Sequence, residues 1–128
     1  MKRLCRVVYL AIIMIISIGC TSAFAADWYC VGTSDNGEET AYIDNASVEK
    51  NNRWAIVWIK WVVSDGTCTV SRCYITHTPK TTTALSLTKY DSNGNIECSG
   101  EIPPYMRTTT NIVPGSMGES IWYCIWAY

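Results

Sequence analysis

The chain reads as an α+β domain: a single antiparallel β-sheet of about six strands with one C-terminal α-helix packed on it. Three observations predict this. From residue 27 to about residue 100, short runs rich in β-branched and aromatic residues alternate with clusters of Gly, Asn, Asp and Pro, the signature of an antiparallel meander. After Pro114-Gly115 the apolar spacing changes from every second residue to every third and fourth, which is the helical period. The first 25 residues have the layout of an export leader, so they are set apart from the fold.

That leader consists of a basic start at Lys2, Arg3 and Arg6, an apolar stretch over residues 7–18, and Ala23-Phe24-Ala25 as a small-x-small cleavage site. The apolar stretch falls short of the roughly 20 residues a bilayer span needs. The expected organisation is therefore a signal peptide over residues 1–25 and one domain over residues 26–128, exported to the periplasm, the cell surface or the medium. Ser17-Ile18-Gly19-Cys20 also resembles a bacterial lipobox, with Gly19 in place before the Cys and Ser17 where Leu is usual. Cleavage after Ala25 and lipidation at Cys20 both stay open, and the second is the only expected route to a membrane.

The elements follow in order. Residues 27–32 form a short first strand, Ser34-Asp35-Asn36-Gly37 a turn, and residues 40–44 a second strand. After Asn51-Asn52, residues 53–63 give the longest strand signal, with five β-branched residues, three Trp and no Gly or Pro. Both of its faces are apolar, Trp54, Ile56, Trp58 and Val62 on one and Ala55, Val57, Ile59, Trp61 and Val63 on the other, with Lys60 the lone charge after Arg53. Such a strand is expected in mid-sheet with both faces covered. Ser64-Asp65-Gly66 turns the chain into residues 67–78, and Pro79-Lys80 leads into residues 81–90, where Leu85 and Leu87 alternate with Ala84, Ser86 and Thr88. Asn93-Gly94 is a hairpin signal, because both residues tolerate positive φ, and a return strand over residues 95–99 follows. Pro103-Pro104 then forbids ladder pairing. Ser116-x-x-Glu119 is a capping box opening a helix over about residues 117–126. Ile121, Cys124 and Ile125 make the stripe that would lie on the sheet, and Trp122 and Trp126 a second i, i+4 pair.

Length and charge bound the function. A cut after Ala25 leaves 103 residues, seven basic and eleven acidic, for a net charge of −4. One domain of that size buries a single modest core. No basic run offers a footprint for nucleic acid or an anionic leaflet. Of seven cysteines, Cys5 and Cys20 lie in the leader, leaving Cys30, Cys68, Cys73, Cys98 and Cys124. Five is odd, so at most two bridges form within one molecule, and the fifth thiol is either buried and inert or pairs between chains as a homodimer link.

No reaction chemistry assembles from the residues. His77 is the only histidine and is expected as a strand residue near a turn, with haem ligation a remote alternative. Cys68 and Cys73 stand four residues apart rather than the two of a redox motif, and nothing offers zinc spacing. Asp27, Asp44, Asp65 and Asp91 fall at strand ends and turns, where such side chains bond local backbone. The chain is expected not to be an enzyme and to carry no cofactor.

One resemblance runs through nearly the whole mature chain. Trp28 with Val31-Gly32-Thr33, Ala41-Tyr42-Ile43-Asp44 with Ser47, Val57-Trp58-Ile59-Lys60, Tyr90-Asp91-Ser92-Asn93-Gly94-Asn95-Ile96, and Ile112-Val113-Pro114-Gly115-Ser116-Met117-Gly118-Glu119 appear in order. This set resembles the surface-adhesin protein E-like family of exported bacterial proteins. The resemblance implies a small antiparallel sheet packed by a C-terminal helix, an envelope location often with a lipid anchor, adhesion to host matrix and plasma proteins, self-association and haem binding. It also implies a Cys73–Cys124 bridge across a loop of about 50 residues, contributing roughly 3 to 4 kcal/mol. The pairing of Cys30, Cys68 and Cys98 stays open, as does the alternative of a periplasmic component that binds a partner subunit or a small ligand such as haem.

Overall fold

The computed structural model describes residues 26–127, so the leader and Cys20 lie outside the described residues. Eight strands and one helix follow in order: β1 (Trp28–Thr33), β2 (Glu39–Asp44), β3 (Glu49–Lys50), β4 (Trp54–Val63), β5 (Cys68–Thr76), β6 (Thr81–Tyr90), β7 (Ile96–Glu101), β8 (Thr109–Asn111) and α1 (Met117–Trp126). All pairings are antiparallel, along the path β1-β2-β4-β5-β6-β7. The expected count of about six strands matches this path; the sheet is larger by two short ones. β3 shares the β2 side of β4, pairing Glu49 with Ile56 and Lys50 with Ala55, and β8 shares the β7 side of β6. Two- and three-residue strands present no period to read, which is why the sequence shows neither.

Turn chemistry sets the register. Gly37, Gly66 and Gly94 have positive φ at the β1–β2, β4–β5 and β6–β7 connections, and Asp65 and Asp91 accept hydrogen bonds from backbone two residues on, at Thr67 and Asn93. Asp44 does more than its neighbours. Its carboxylate accepts from the Asp27 and Ala46 N–H groups at 2.8 and 3.1 Å and from Ser47 Oγ at 2.5 Å, which ties the start of β1 to the turn after β2. Asp27, expected as a turn former through its side chain, instead contributes its backbone N–H to that carboxylate.

The helix begins as its sequence predicts, with Ser116 Oγ accepting from the Glu119 N–H and Glu119 reaching back to the Gly115 N–H. Ile121 and Ile125 are 2 % exposed and close the core over Ala41, Ile43, Ala55, Val57 and Ile59. Its start lies on Gly32 through Met117, its end on β3, where Lys50 donates to the Ile125 carbonyl. Trp126 Nε1 donates to the Asn51 carbonyl at 3.0 Å.

Ten residues make a helix about 15 Å long, whereas six strands spread over about 24 Å. One helix therefore cannot roof the whole sheet, and this one lies toward the β1 side. The expectation that both faces of β4 are covered is corrected accordingly. Ala55 and Val57 are fully buried under the helix, but Trp54, Ile56, Trp58 and Val62, on the face away from it, stay half-buried.

Candidate functional site

Two places on the sheet can take another molecule, and they lie on opposite faces. The first is the open face. Cross-strand partners share a face of the sheet, so the ladders put Trp28 with Asp44, Tyr42 with Lys60, Ile56 with Tyr74, Trp58 with Arg72, and Val62 with Cys68 on the side away from α1. The Trp54 and Tyr74 rings stack 6.1 Å apart. Lys60 Nζ stands 4.5 Å over the Trp28 ring and 4.9 Å from that of Tyr42. The result is an aromatic platform with two cations near its centre, Lys60 and Arg72, and neither takes part in an ion pair with a described acidic residue. Ser86, the β6 partner of Arg72, is buried with its Oγ unbonded.

The second place is a groove of about 410 Å³ on the helix side, where the short helix stops covering β5 and β6. Ile59, Trp61, Cys73, Ala84, Ile112 and Ile121 supply its apolar walls. Ile112 is buried against the start of the helix at Gly118, and the 108–112 stretch, part of it paired to β6, closes the groove on the β6 edge. The floor has settled its own polar atoms: Ser71 Oγ donates to the Ser86 carbonyl at 3.0 Å and lies 3.3 Å from Cys73 Sγ. Burial pushes the Cys73 thiol above its ordinary value, against hydrogen bonds with Ser71 and Thr82.

The five described cysteines are all unpaired. The Cys73–Cys124 bridge implied by the resemblance is not made, for a geometric reason. Cys73 faces the groove on the β6 side, while the helix turns Cys124 toward Tyr29, Ile43 and Asn45 on the other. Burial raises the Cys124 thiol, and that of Cys68, where Lys60 acts in the opposite sense. Cys30 on β1 and Cys98 on β7 are exposed, each on an outer strand of the main path.

His77, expected as a strand residue near a turn, lies in the turn itself, just past the end of β5, and its surroundings were not legible. Its ring lies 4.8 Å from that of Trp122 and 5.2 Å from that of Trp126, and its Nδ1 is 2.9 Å from Thr78 Oγ1. Lys80 completes the cluster, 4.1 Å over Trp122 and 3.4 Å from Glu119. The Trp122 and Trp126 pair stands out in the sequence, but its partner some 45 residues upstream does not. The cluster clamps the helix to the β5–β6 turn, and aromatic stacking occupies the imidazole. Among the described residues no three of His, Cys, Asp and Glu gather as a metal site.

No protein-family model, curated protein or solved structure matches this chain.

Proposed function

We propose that this chain is an exported, non-enzymatic binding domain of the adhesin E-like type, which presents the open face of its sheet to a protein partner at or beyond the cell envelope. The observation that carries the reading is β4, whose Trp54, Ile56, Trp58 and Val62 are apolar yet stay partly exposed on the face away from α1. A uniformly apolar central strand is built to be covered on both sides, and contiguous apolar surface of this kind, rimmed by polar groups, marks interaction sites on other proteins. Trp and Tyr supply the rigid contact area and Arg72 the polar anchor that such interfaces favour. The leader, the family likeness and the net charge of −4 expected after cleavage support a protein partner rather than a polyanion.

Two measurements test it. Protease added to intact cells should degrade the protein; complete protection until the envelope is opened removes the surface reading. Purified protein should bind an immobilised preparation of extracellular-matrix proteins, and Trp58→Ser should weaken that binding by more than about 2 kcal/mol, as loss of a central aromatic anchor does. Equal binding by Trp58→Ser and the natural chain, with both folded by circular dichroism, rules out the open face.

A further inference from the structure

The groove between α1, the 108–112 stretch and the β5–β6 half of the sheet asks for an occupant of its own. Its volume of about 410 Å³ falls within the roughly 300 to 1,000 Å³ typical of small-molecule sites. Among the described residues that line it, not one carries a charge. The polar atoms of the floor are already engaged with one another, Ser71 with the Ser86 carbonyl and with Cys73. A ligand body entering here thus meets mainly hydrocarbon, with the uncharged hydroxyls of Thr69 and Thr82 beside it. At the mouth stand the hydroxyls of Thr108 and Thr110, both exposed, and Leu87, 38 % exposed. A carboxylate, phosphate or ammonium group would be stripped of water in this groove with no opposite charge to receive it.

We infer that this groove is a binding site for an uncharged, elongated, mainly hydrocarbon small molecule, such as a medium-chain alcohol, whose polar end lies at the threonine mouth. It is separate from the open face and stands whether or not that face meets a protein. The shape follows from how the fold is assembled. A ten-residue helix roofs only part of the sheet, and the stretch carrying Ile112, paired to β6 and packed on Gly118, closes the edge without filling the gap.

Cys73 provides the test, because it is the one cysteine lining the groove, while Cys30 and Cys98 are exposed elsewhere in the same molecule. The purified chain is treated with iodoacetamide, with and without dodecan-1-ol, and modification at each cysteine is followed by peptide mass spectrometry. Alcohol at ten times its dissociation constant should slow labelling of Cys73 about tenfold, as occupancy requires, and leave Cys30 and Cys98 unchanged. Dodecanoate, with the same chain and a carboxylate, should need at least about ten times the concentration for the same protection. Leu87→Glu, at the exposed mouth where folding tolerates it, should weaken protection by the alcohol, and Ala84→Phe, which fills the groove, should abolish it. An unchanged Cys73 rate with the alcohol overturns the site. Equal slowing of all three cysteines shows non-specific coating and overturns it too, and equal potency of alcohol and carboxylate overturns the assignment of a neutral ligand.

Discussion

The two faces of this sheet come from alternate residues of the same strands, and β4 makes both apolar, yet they end in opposite conditions. Under the helix, Ala55 and Val57 are fully buried and Ile59 is 4 % exposed. One residue along, on the face away from the helix, Trp54, Ile56 and Trp58 are only half-buried. Side-chain alternation thus fixes which residues share a face, but what covers each face depends on the reach of an element far away in the chain. The covered face carries stability, and the open face retains surface for contact.

Substitutions can break or sharpen this contrast. The largest effect is expected from Ile121→Ala, which removes a fully buried side chain from the seam between helix and sheet and should cost about 3 kcal/mol. The matched change on the other side, Ile56→Ala, should cost less, about 1 to 2 kcal/mol, because part of that side chain is already in water. Urea unfolding of both variants checks the pair, and equal losses would mean that something covers the open face. Next comes Asp44→Asn, at the margin of the open face, which should cost about 1 to 2 kcal/mol through weakened bonds to Asp27, Ala46 and Ser47.

Acid sharpens that result. Burial opposes the charge on Asp44, but the hydrogen bonds from Ser47, Asp27 and Ala46 outweigh it and hold the carboxyl below its ordinary value of 3.8. A depressed folded value stabilises fully above the unfolded value and is lost as pH falls through the folded one. The natural chain should therefore lose stability below about pH 4, and Asp44→Asn should remove that part of the slope, read from unfolding free energy against pH. Smaller still, Ser116→Ala deletes the helix cap and should cost about 1 kcal/mol, loosening the covered face while leaving the sheet intact by circular dichroism. Lys80→Met, which discards the contacts with Trp122, Tyr123 and Glu119, should cost less than about 1 kcal/mol, with the difference shrinking in high salt because the ion pair is partly exposed.

Much of the fold was legible because it rests on short-range chemistry. Asn93-Gly94 marks its hairpin, Ser116 and Glu119 mark the helix start, and the six long strands declare themselves by composition. β3 and β8 were hidden by brevity, and β8 also by the polar Thr108-Thr109-Thr110 run. The candidate sites were less legible still. That Trp54, Ile56 and Trp58 share a face can be read from the sequence; that they stay only half-buried cannot, since it follows from where the helix lands. The groove is a gap between elements distant in sequence and leaves no motif. Helical spacing put Cys124 on the sheet-facing stripe, but the direction the helix turns it, away from Cys73, is set by packing.

The helix that roofs the core rests on β1, with Met117 against Gly32, so the last element of the fold touches the first. The sheet can pair strand by strand as the chain emerges, but its apolar side has no roof until residues 117–126 arrive. Completion of the core therefore waits for residues 117–126, and a chain stalled before Ile121 would present bare hydrocarbon on the helix side, a state exposed to aggregation and to quality-control proteases.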